Sequence, residues 1–491
     1  MQNITMTKNE ISTKGEVLVL IFILTLFLGL SFSLAPMCLP SPDEPGYTDP
    51  AASWALGQGF HSGAWYAQNN EEFFAGNVPL HHITLSYWFR LFGFSAGSSR
   101  FHNFFLVVLA AIFLWDGLRR SRIFPAGWRL FVISVVVLSE SAFYMSLTGR
   151  PDAITCCIAS ATFWSMTLRS DALRFPLLVL AGALAPWAGI QLAAASAFVF
   201  GALFLVLRLR VWREVLAFAS GGIAGTLALF VFYDINGVLP QFLASVFPHA
   251  GARNFSIYRF TGFWSDRSLL ILWLTSLFCI GVAFQKRSSS PDGFRLALAL
   301  AVSVFGLPLF LVAVGKFSSA YTWMPTWLGV PIVARWLVFG TENRLVRVTL
   351  GFLVAASAIA GGYPRLVMKL YANHGDRPLE QMERLAASVI RPGDCIAYSA
   401  PAFYSVKPRA REAYYVNWYL NPMSSEDRAQ LNLAIIEPHL LPWIQKATGT
   451  EWQEVGKPET LKVRRFMRDA KDLEIVAYRR VETRNNLLPH Q

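Results

Sequence analysis

The feature that most restricts this chain is a series of eleven apolar segments, at about 16–36, 101–118, 127–146, 153–168, 175–186, 188–207, 214–233, 268–284, 296–314, 323–339 and 346–362. At about 1.5 Å of rise per residue, about twenty apolar residues cross a hydrocarbon core of about 30 Å, so most of these segments approach spanning length. The first, GEVLVLIFILTLFLGLSFSLA, carries a single charge, Glu16, at its leading edge. The pair at 175–207 is the weakest, because APWAGIQ only lightly interrupts it. A chain that is 54% hydrophobic and 15% charged has too little polar surface for a soluble fold of 491 residues. The reading is an α-helical polytopic membrane protein with about eleven transmembrane helices.

Loop charge sets the orientation. With the N-terminus inside, the inner loops hold 17 Lys and Arg residues and the short outer loops hold 7, namely Arg90, Arg100, Arg150, Arg253, Arg259, Arg267 and Lys316. Cytoplasmic loops carry the excess of Lys and Arg, so the N-terminus is cytoplasmic. An odd number of spans then leaves residues 363–491 outside. The first segment is too long for a signal-peptide core, and SLAPMC is a poor cleavage site. The net charge of +12 comes mostly from the inner loops and a mildly basic tail, so it does not indicate a nucleic-acid binder. The five cysteines, Cys38, Cys156, Cys157, Cys279 and Cys395, have neither metal-ligand nor disulfide spacing.

Two regions follow from this pattern: a transmembrane part over 1–362, with a long first external loop at 37–100, and a small extracytoplasmic α/β domain over 363–491. In the latter, 394–400, 412–419, 431–438 and 473–480 read as strands, and 379–390 and 439–448 as helices.

Chemistry concentrates in the outer loops. In SPDEPGYTDPAASWALGQGF, Asp43 and Glu44 stand beside the lipid surface, where acidic groups are costly unless used. Asp43 and Tyr47 are four residues apart and share a face if helical. Residues 51–56 favour a helix ended by Gly57 and Gly59, with Asp49, ahead of Pro50, read as its cap. TGRPDA places Arg150 and Asp152 in a tight outer hairpin, as a surface ion pair or as part of the same vestibule. Arg253, Arg259 and Lys316 lie among aromatics in two outer loops, with Tyr321 close by, and suit an anionic head group if they do not merely snorkel. His81 and His82 begin an amphipathic stretch, NVPLHHITLSYWFRLFG, and are candidates for substrate contact.

These elements, in this order, resemble the GT-C class of polyprenyl-phosphate-sugar-dependent glycosyltransferases, in particular the branch with the lipid A aminoarabinose, rhizobial galacturonosyl and protein O-mannosyl transferases. The resemblance spans essentially the whole chain. Asp43, Glu44 and Tyr47 match the acidic pair and tyrosine of the first external loop. Residues 79–93 with Arg100 match the Pro-Leu stretch ending in Leu-Phe-Gly and followed by Arg. Arg150-Pro151-Asp152 matches an Arg-Pro-acid element, and 316–325 the late loop leading into a Tyr and Pro span. Asn77-Val78-Pro79-Leu80 departs from the Lys-Pro-Pro-Leu of lipid A transferases, so that phosphate contact must come from elsewhere.

The resemblance implies transfer of a sugar from a polyprenyl-monophosphate donor to a lipid, glycan or protein acceptor of the envelope, with inversion, on the outer face of a bacterial inner membrane. Asp43 would act as base with Glu44 in support, and Asp152 would orient acceptor or sugar. Tyr47, Tyr321, Arg253, Arg259 and Lys316 would hold the phosphate, and His81, His82 and Arg150 would touch substrate. A phosphate monoester already leaves as an anion, so no cofactor or metal is obligatory; a divalent cation at Asp43 and Glu44 is the secondary reading. The rival function is a flippase or carrier for a lipid-linked anion. A carrier would be expected to show internal repeats, and the sequence shows none. A purely structural membrane subunit is the third reading, and it leaves the acidic pair and the outer arginines unexplained.

The orientation makes a direct prediction. Alkaline phosphatase fused after residue 491 should be active and a fluorescent protein that matures only in the cytoplasm should be dark; the opposite pattern would invert every outer loop named above.

Overall fold

The computed structural model describes residues 13–65, 72–122, 124–190, 211–246, 267–285, 291–309, 319–339, 343–372, 377–416, 423–458 and 474–481, with isolated positions between 192 and 200. In the helical part, α1 (Thr13–Leu34) runs on through a turn at Ala35–Met37. Next come α2 (Glu44–Ala55), α3 (Leu80–Phe92), α4 (Ala96–Arg120), α5 (Ala126–Val137), α6 (Glu140–Leu147), α7 (Asp152–Met166) and α8 (Asp171–Ala188). Beyond residue 200 follow α9 (Trp212–Ile235), α10 (Leu239–Val246), α11 (Arg267–Gln285), α12 (Pro291–Ala301), α13 (Trp323–Phe339) and α14 (Arg344–Ala372).

Among the described residues, four helices are long and apolar enough to cross a membrane: α1 with its terminal turn, α4, α8 and α9. A fifth results if α5 and α6 count as one span. The expected eleven spans coincide with helix where they are described, and the four or five above are the ones that are long and apolar enough among the described residues. The segment expected at 127–146 is broken, its halves meeting at 51°. Ser139 causes the break by capping α6, its hydroxyl accepting from the Ala142 N–H at 3.3 Å. Helix α7 has 15 residues and α13 has 17. Most of 188–207 lies outside the described residues.

The bundle core joins α1, α4, α5, α6 and α13 around Phe27, Phe104, Val132, Phe143 and Trp323. Beside it, α8 and α9 approach closely at glycines. A Cβ on Gly182 would sit 2.0 Å from the Phe218 carbonyl oxygen, and one on Gly225 would sit 2.1 Å from that of Ala183. Small residues spaced four apart, as Gly221 and Gly225 are, allow this backbone contact in a lipid setting.

After α14 the chain forms a five-stranded sheet in the order β2-β1-β3-β5-β4, where β1 is Cys395–Tyr398, β2 Glu412–Tyr415, β3 Leu433–Ile436, β4 Trp452–Gly456 and β5 Val476–Arg480. β1 is parallel to β2 and β3, while β5 is antiparallel to β3 and β4. Helices α15 (Pro378–Val389), α16 (Phe403–Val406), α17 (Ser425–Gln430) and α18 (Leu441–Thr448) flank the strands. All four expected strands and both expected helices are present. β4 is additional to that set, because in this edge strand Gln453, Glu454 and Val455 are exposed and the apolar alternation is lost.

The sheet domain rests on the segment between α1 and α4. Ala51, Ala52, Leu85 and Phe89 share one apolar core with Phe403, Tyr398 and Tyr415. The Tyr415 N–H donates to the Gly63 carbonyl at 2.9 Å, tying the edge strand β2 to the loop after α2. Helix α14 continues through residue 363 to Ala372, so the chain leaves the bundle as helix.

The α8–α9 contact is testable. Gly225→Val places methyl groups against the Ala183 backbone and should lower the thermal midpoint in detergent, overpacking of this kind costing about 1–3 kcal/mol. An unchanged midpoint would mean the two helices do not touch there.

Candidate active site

Helix α2 begins one residue after Asp43, with Pro45 in its first turn, where the missing N–H costs nothing. Asp43 holds the cap position, yet its side chain makes no capping hydrogen bond. It turns to Arg150 instead, whose Nη1 bonds Asp43 Oδ2. The first helical turn carries Tyr47 round to the same side, so that Arg150 stacks 4.9 Å from the centre of the Tyr47 ring.

Arg150 stands in the turn between α6 and α7. Gly149 makes that turn possible: its φ is +62°, and a Cβ there would meet Glu44 Cγ at 2.8 Å and Thr48 Oγ1 at 2.9 Å. His81 Nε2 bonds the Gly149 carbonyl at 3.0 Å, and the Asn103 amide donates to the Arg150 carbonyl at 3.2 Å. Arg150 Nε reaches Asp152 Oδ2 at 2.9 Å, and Tyr321 lies 5.8 Å from the guanidinium. The second Asp152 oxygen accepts from Trp323 Nε1 at 3.2 Å. One guanidinium thus joins two carboxylates and faces two tyrosine rings.

The carboxylates differ in access. The Asp43 side chain is 36% exposed, whereas those of Asp152 and Arg150 are 4% and 5% exposed. Glu44 is fully buried and points away from Asp43: its Oε1 accepts from the Tyr404 hydroxyl at 2.8 Å, and Oε2 lies 3.5 Å from Arg100 Nη2. Arg100 also donates to the carbonyls of Ala35 and of Cys38, the latter at 2.8 Å. Asp49 is buried within α2 and does not cap it. Lys407 Nζ is 2.8 Å from its Oδ1, and Oδ2 accepts from Ser62 Oγ at 3.0 Å and the Gly63 N–H at 2.7 Å. The capping expectation for Asp49 therefore fails, because the helix already starts at Glu44.

His81 and His82 are buried on α3 rather than open to a substrate. Burial pushes His81 well below the usual imidazole range, helped by the charges of neighbouring His102 and His82. Burial likewise pushes His82 down to about 3, against a backbone contact with Tyr47. Both rings are neutral at physiological pH, and the His81 bond to a carbonyl places its proton on Nε2.

The structure thus brings Asp43, Tyr47, Arg150, Asp152 and Tyr321 into one cluster, with Glu44 just behind it. Arg253, Arg259 and Lys316 lie outside the described residues. Among the described residues no group of three or more His, Cys, Asp or Glu side chains is placed to hold a metal. Asp43 and Glu44 do not form a joint donor pair, since each carboxylate faces a different arginine. Sequence reasoning misses Trp323, Tyr404 and Lys407, and misassigns Asp49. Their partners lie far away in the chain, 171 residues for Trp323 and 360 for Tyr404. One signal is present: α2, EPGYTDPAASWA, is too poor in polar groups for a solvent-facing helix.

No protein-family model and no curated protein matches the chain by sequence. Solved structures do match in fold. ArnT from Cupriavidus metallidurans in the apo state is 17% identical with a TM-score of 0.58, covering 95% of this chain and 98% of that one. The same protein bound to undecaprenyl phosphate is 15% identical with a TM-score of 0.56, at the same coverage. The arabinofuranosyltransferase AftD from Mycobacteria is 14% identical with a TM-score of 0.51, over 96% of this chain and 40% of that larger one. The chain has the GT-C fold.

The buried histidines predict acid lability. Held neutral in the fold but free to protonate in the unfolded chain, His82 contributes fully above about pH 6.5, and that contribution is lost as pH falls toward about 3. The thermal midpoint of wild type should fall more steeply between about pH 6.5 and about pH 4.5 than that of His82→Gln. Parallel curves would mean His82 is not buried in its neutral form.

Proposed function

We propose that this chain is an integral membrane glycosyltransferase that moves a sugar from a polyprenyl-monophosphate carrier to an acceptor of the cell envelope, on the outer face of the bacterial inner membrane. One observation carries the reading. In a cluster of otherwise buried acids, Asp43 alone keeps an open carboxylate, with one oxygen fixed by Arg150 and the other without a protein partner among the described residues. A fixed, accessible carboxylate at a membrane surface suits a general base. The fold supports the donor class, since a protein sharing it binds undecaprenyl phosphate.

In the proposed reaction the acceptor hydroxyl gives its proton to Asp43 while its oxygen bonds the anomeric carbon. The bond from that carbon to the phosphate oxygen breaks on the opposite face, and the electron pair leaves with polyprenyl phosphate. The result is single displacement with inversion. General-base assistance contributes about 10²–10⁴-fold. Charge growing on the phosphate is the larger demand and is assigned to Arg253, Arg259 and Lys316, with the Tyr47 and Tyr321 phenols as hydrogen-bond donors. Glu44 and Asp152 are assigned positioning roles, because their oxygens are already bonded: Glu44 anchors α2, and Asp152 orients Arg150, which in turn aims Asp43. No step requires a metal.

The test is turnover by the purified chain in detergent, where transport has no meaning, across a panel of polyprenyl-phosphate sugars. Wild type should release free polyprenyl phosphate in an acceptor-dependent reaction. Asp43→Asn should lower that release by about two orders of magnitude or more while retaining donor binding. Equal rates for the two would remove the base assignment. Tight donor binding without turnover on any acceptor would favour a carrier.

A further inference from the structure

Helix α2 is poorly suited to hold Asp43 by itself. Its twelve residues include Gly46 and an internal proline, Pro50, which supplies no N–H and crowds the preceding turn. Short helices with such residues depend on tertiary contacts. Arg100 holds one oxygen of Glu44, Ser62 and Gly63 hold one of Asp49, and the sheet domain holds the other oxygen of both. Tyr404, on α16, donates its hydroxyl to Glu44 Oε1 at 2.8 Å, and Lys407, just past that helix, lies 2.8 Å from Asp49 Oδ1. Both contacts are buried: Lys407 and Asp49 side chains are 4% and 0% exposed. Charge-assisted bonds out of water are strong and directional, and a buried ammonium needs its carboxylate. Two successive turns of α2 are therefore gripped from the same short segment of the sheet domain.

From this we infer that the sheet domain is a working part of the site, with Tyr404 and Lys407 as positioning residues that fix the register of α2 and so aim Asp43 at the reacting atoms. Glu44 follows Asp43 directly, so the bond from Tyr404 fixes the backbone from which the Asp43 side chain projects. Lys407 sets the rotation of the helix one turn later. The inference rests on the transferase reading for its catalytic consequence, but the grip on α2 is a structural claim that stands apart from it. Catalytic geometry is sensitive to misplacement by about 1 Å, which can cost about 10²-fold.

Two variants of the full chain separate these claims. Tyr404→Phe deletes one hydroxyl and keeps the ring, while Lys407→Met with Asp49→Asn removes both charges together and so leaves no orphaned ion in the core. Both should fold, with thermal midpoints near that of wild type, and amide hydrogen exchange in residues 44–55 should speed up about tenfold. In turnover, kcat should fall about tenfold and the donor KM should change less than about threefold, because the groups that bind donor phosphate are untouched. Lys407→Arg, which keeps the charge, should recover most of the rate. Unchanged exchange in 44–55 would overturn the grip, and faster exchange with wild-type kcat would overturn the positioning role. Should wild type itself show no turnover, the transferase reading fails, and the exchange data alone judge the grip.

Discussion

The described residues around Asp43 are arranged about one buried guanidinium. Arg150 lies between Asp43 and Asp152, and the three carry a net charge of −1. Removing the guanidinium from such a group would leave two facing carboxylates without a counterion, at about 3–5 kcal/mol. The arginine can be buried only because its own turn is fixed: Gly149 takes a left-handed conformation where a side chain has no room, His81 holds the Gly149 carbonyl, and Asn103 holds that of Arg150. Three elements distant in sequence, α2, α3 and α4, converge on that turn because its backbone carbonyls and charges require partners.

The same logic extends outward. Arg100 on α4 satisfies the carbonyls of Ala35 and Cys38 and one oxygen of Glu44, so the end of α1 and the start of α2 are fixed to the bundle. The sheet domain supplies Tyr404 and Lys407 to the other oxygen of Glu44 and to Asp49. Three of the four acids in this region are thereby neutralised and buried. Asp43 differs because its charge is only partly enclosed, and that difference in burial, not any difference in side-chain chemistry, singles it out.

Much of this was legible in the sequence for identifiable reasons. Apolar runs and alternating strands report on burial directly, so the helical segments and four of the five strands can be read, while β4 escapes because its residues face solvent. Asp43, Arg150 and Asp152 are legible because charges in short loops beside apolar segments demand a use. What is not legible is pairing at long range. Nothing local to Asp49 indicates that its counterion is Lys407, and local rules make it a cap instead. His81 and His82 read as open polar groups, since an amphipathic stretch does not reveal which face a second domain or a neighbouring aromatic layer will cover. Hydropathy also does not detect a break inside an apolar segment, such as the one at Ser139.

The central claim is that Asp43 faces the reacting carbon of a sugar carried on polyprenyl phosphate. Electron cryomicroscopy of the full-length Asp43→Asn variant with an intact polyprenyl-phosphate sugar bound measures this directly. An acceptor oxygen has to fit within hydrogen-bond reach of the carboxylate and about 3–3.5 Å from the anomeric carbon, so that carbon should lie within about 7 Å of the side chain at position 43. The phosphate should project away from it, toward the side of Tyr321. A sugar bound with its anomeric carbon more than about 10 Å from position 43, or with the phosphate between the carbon and that side chain, would contradict the account.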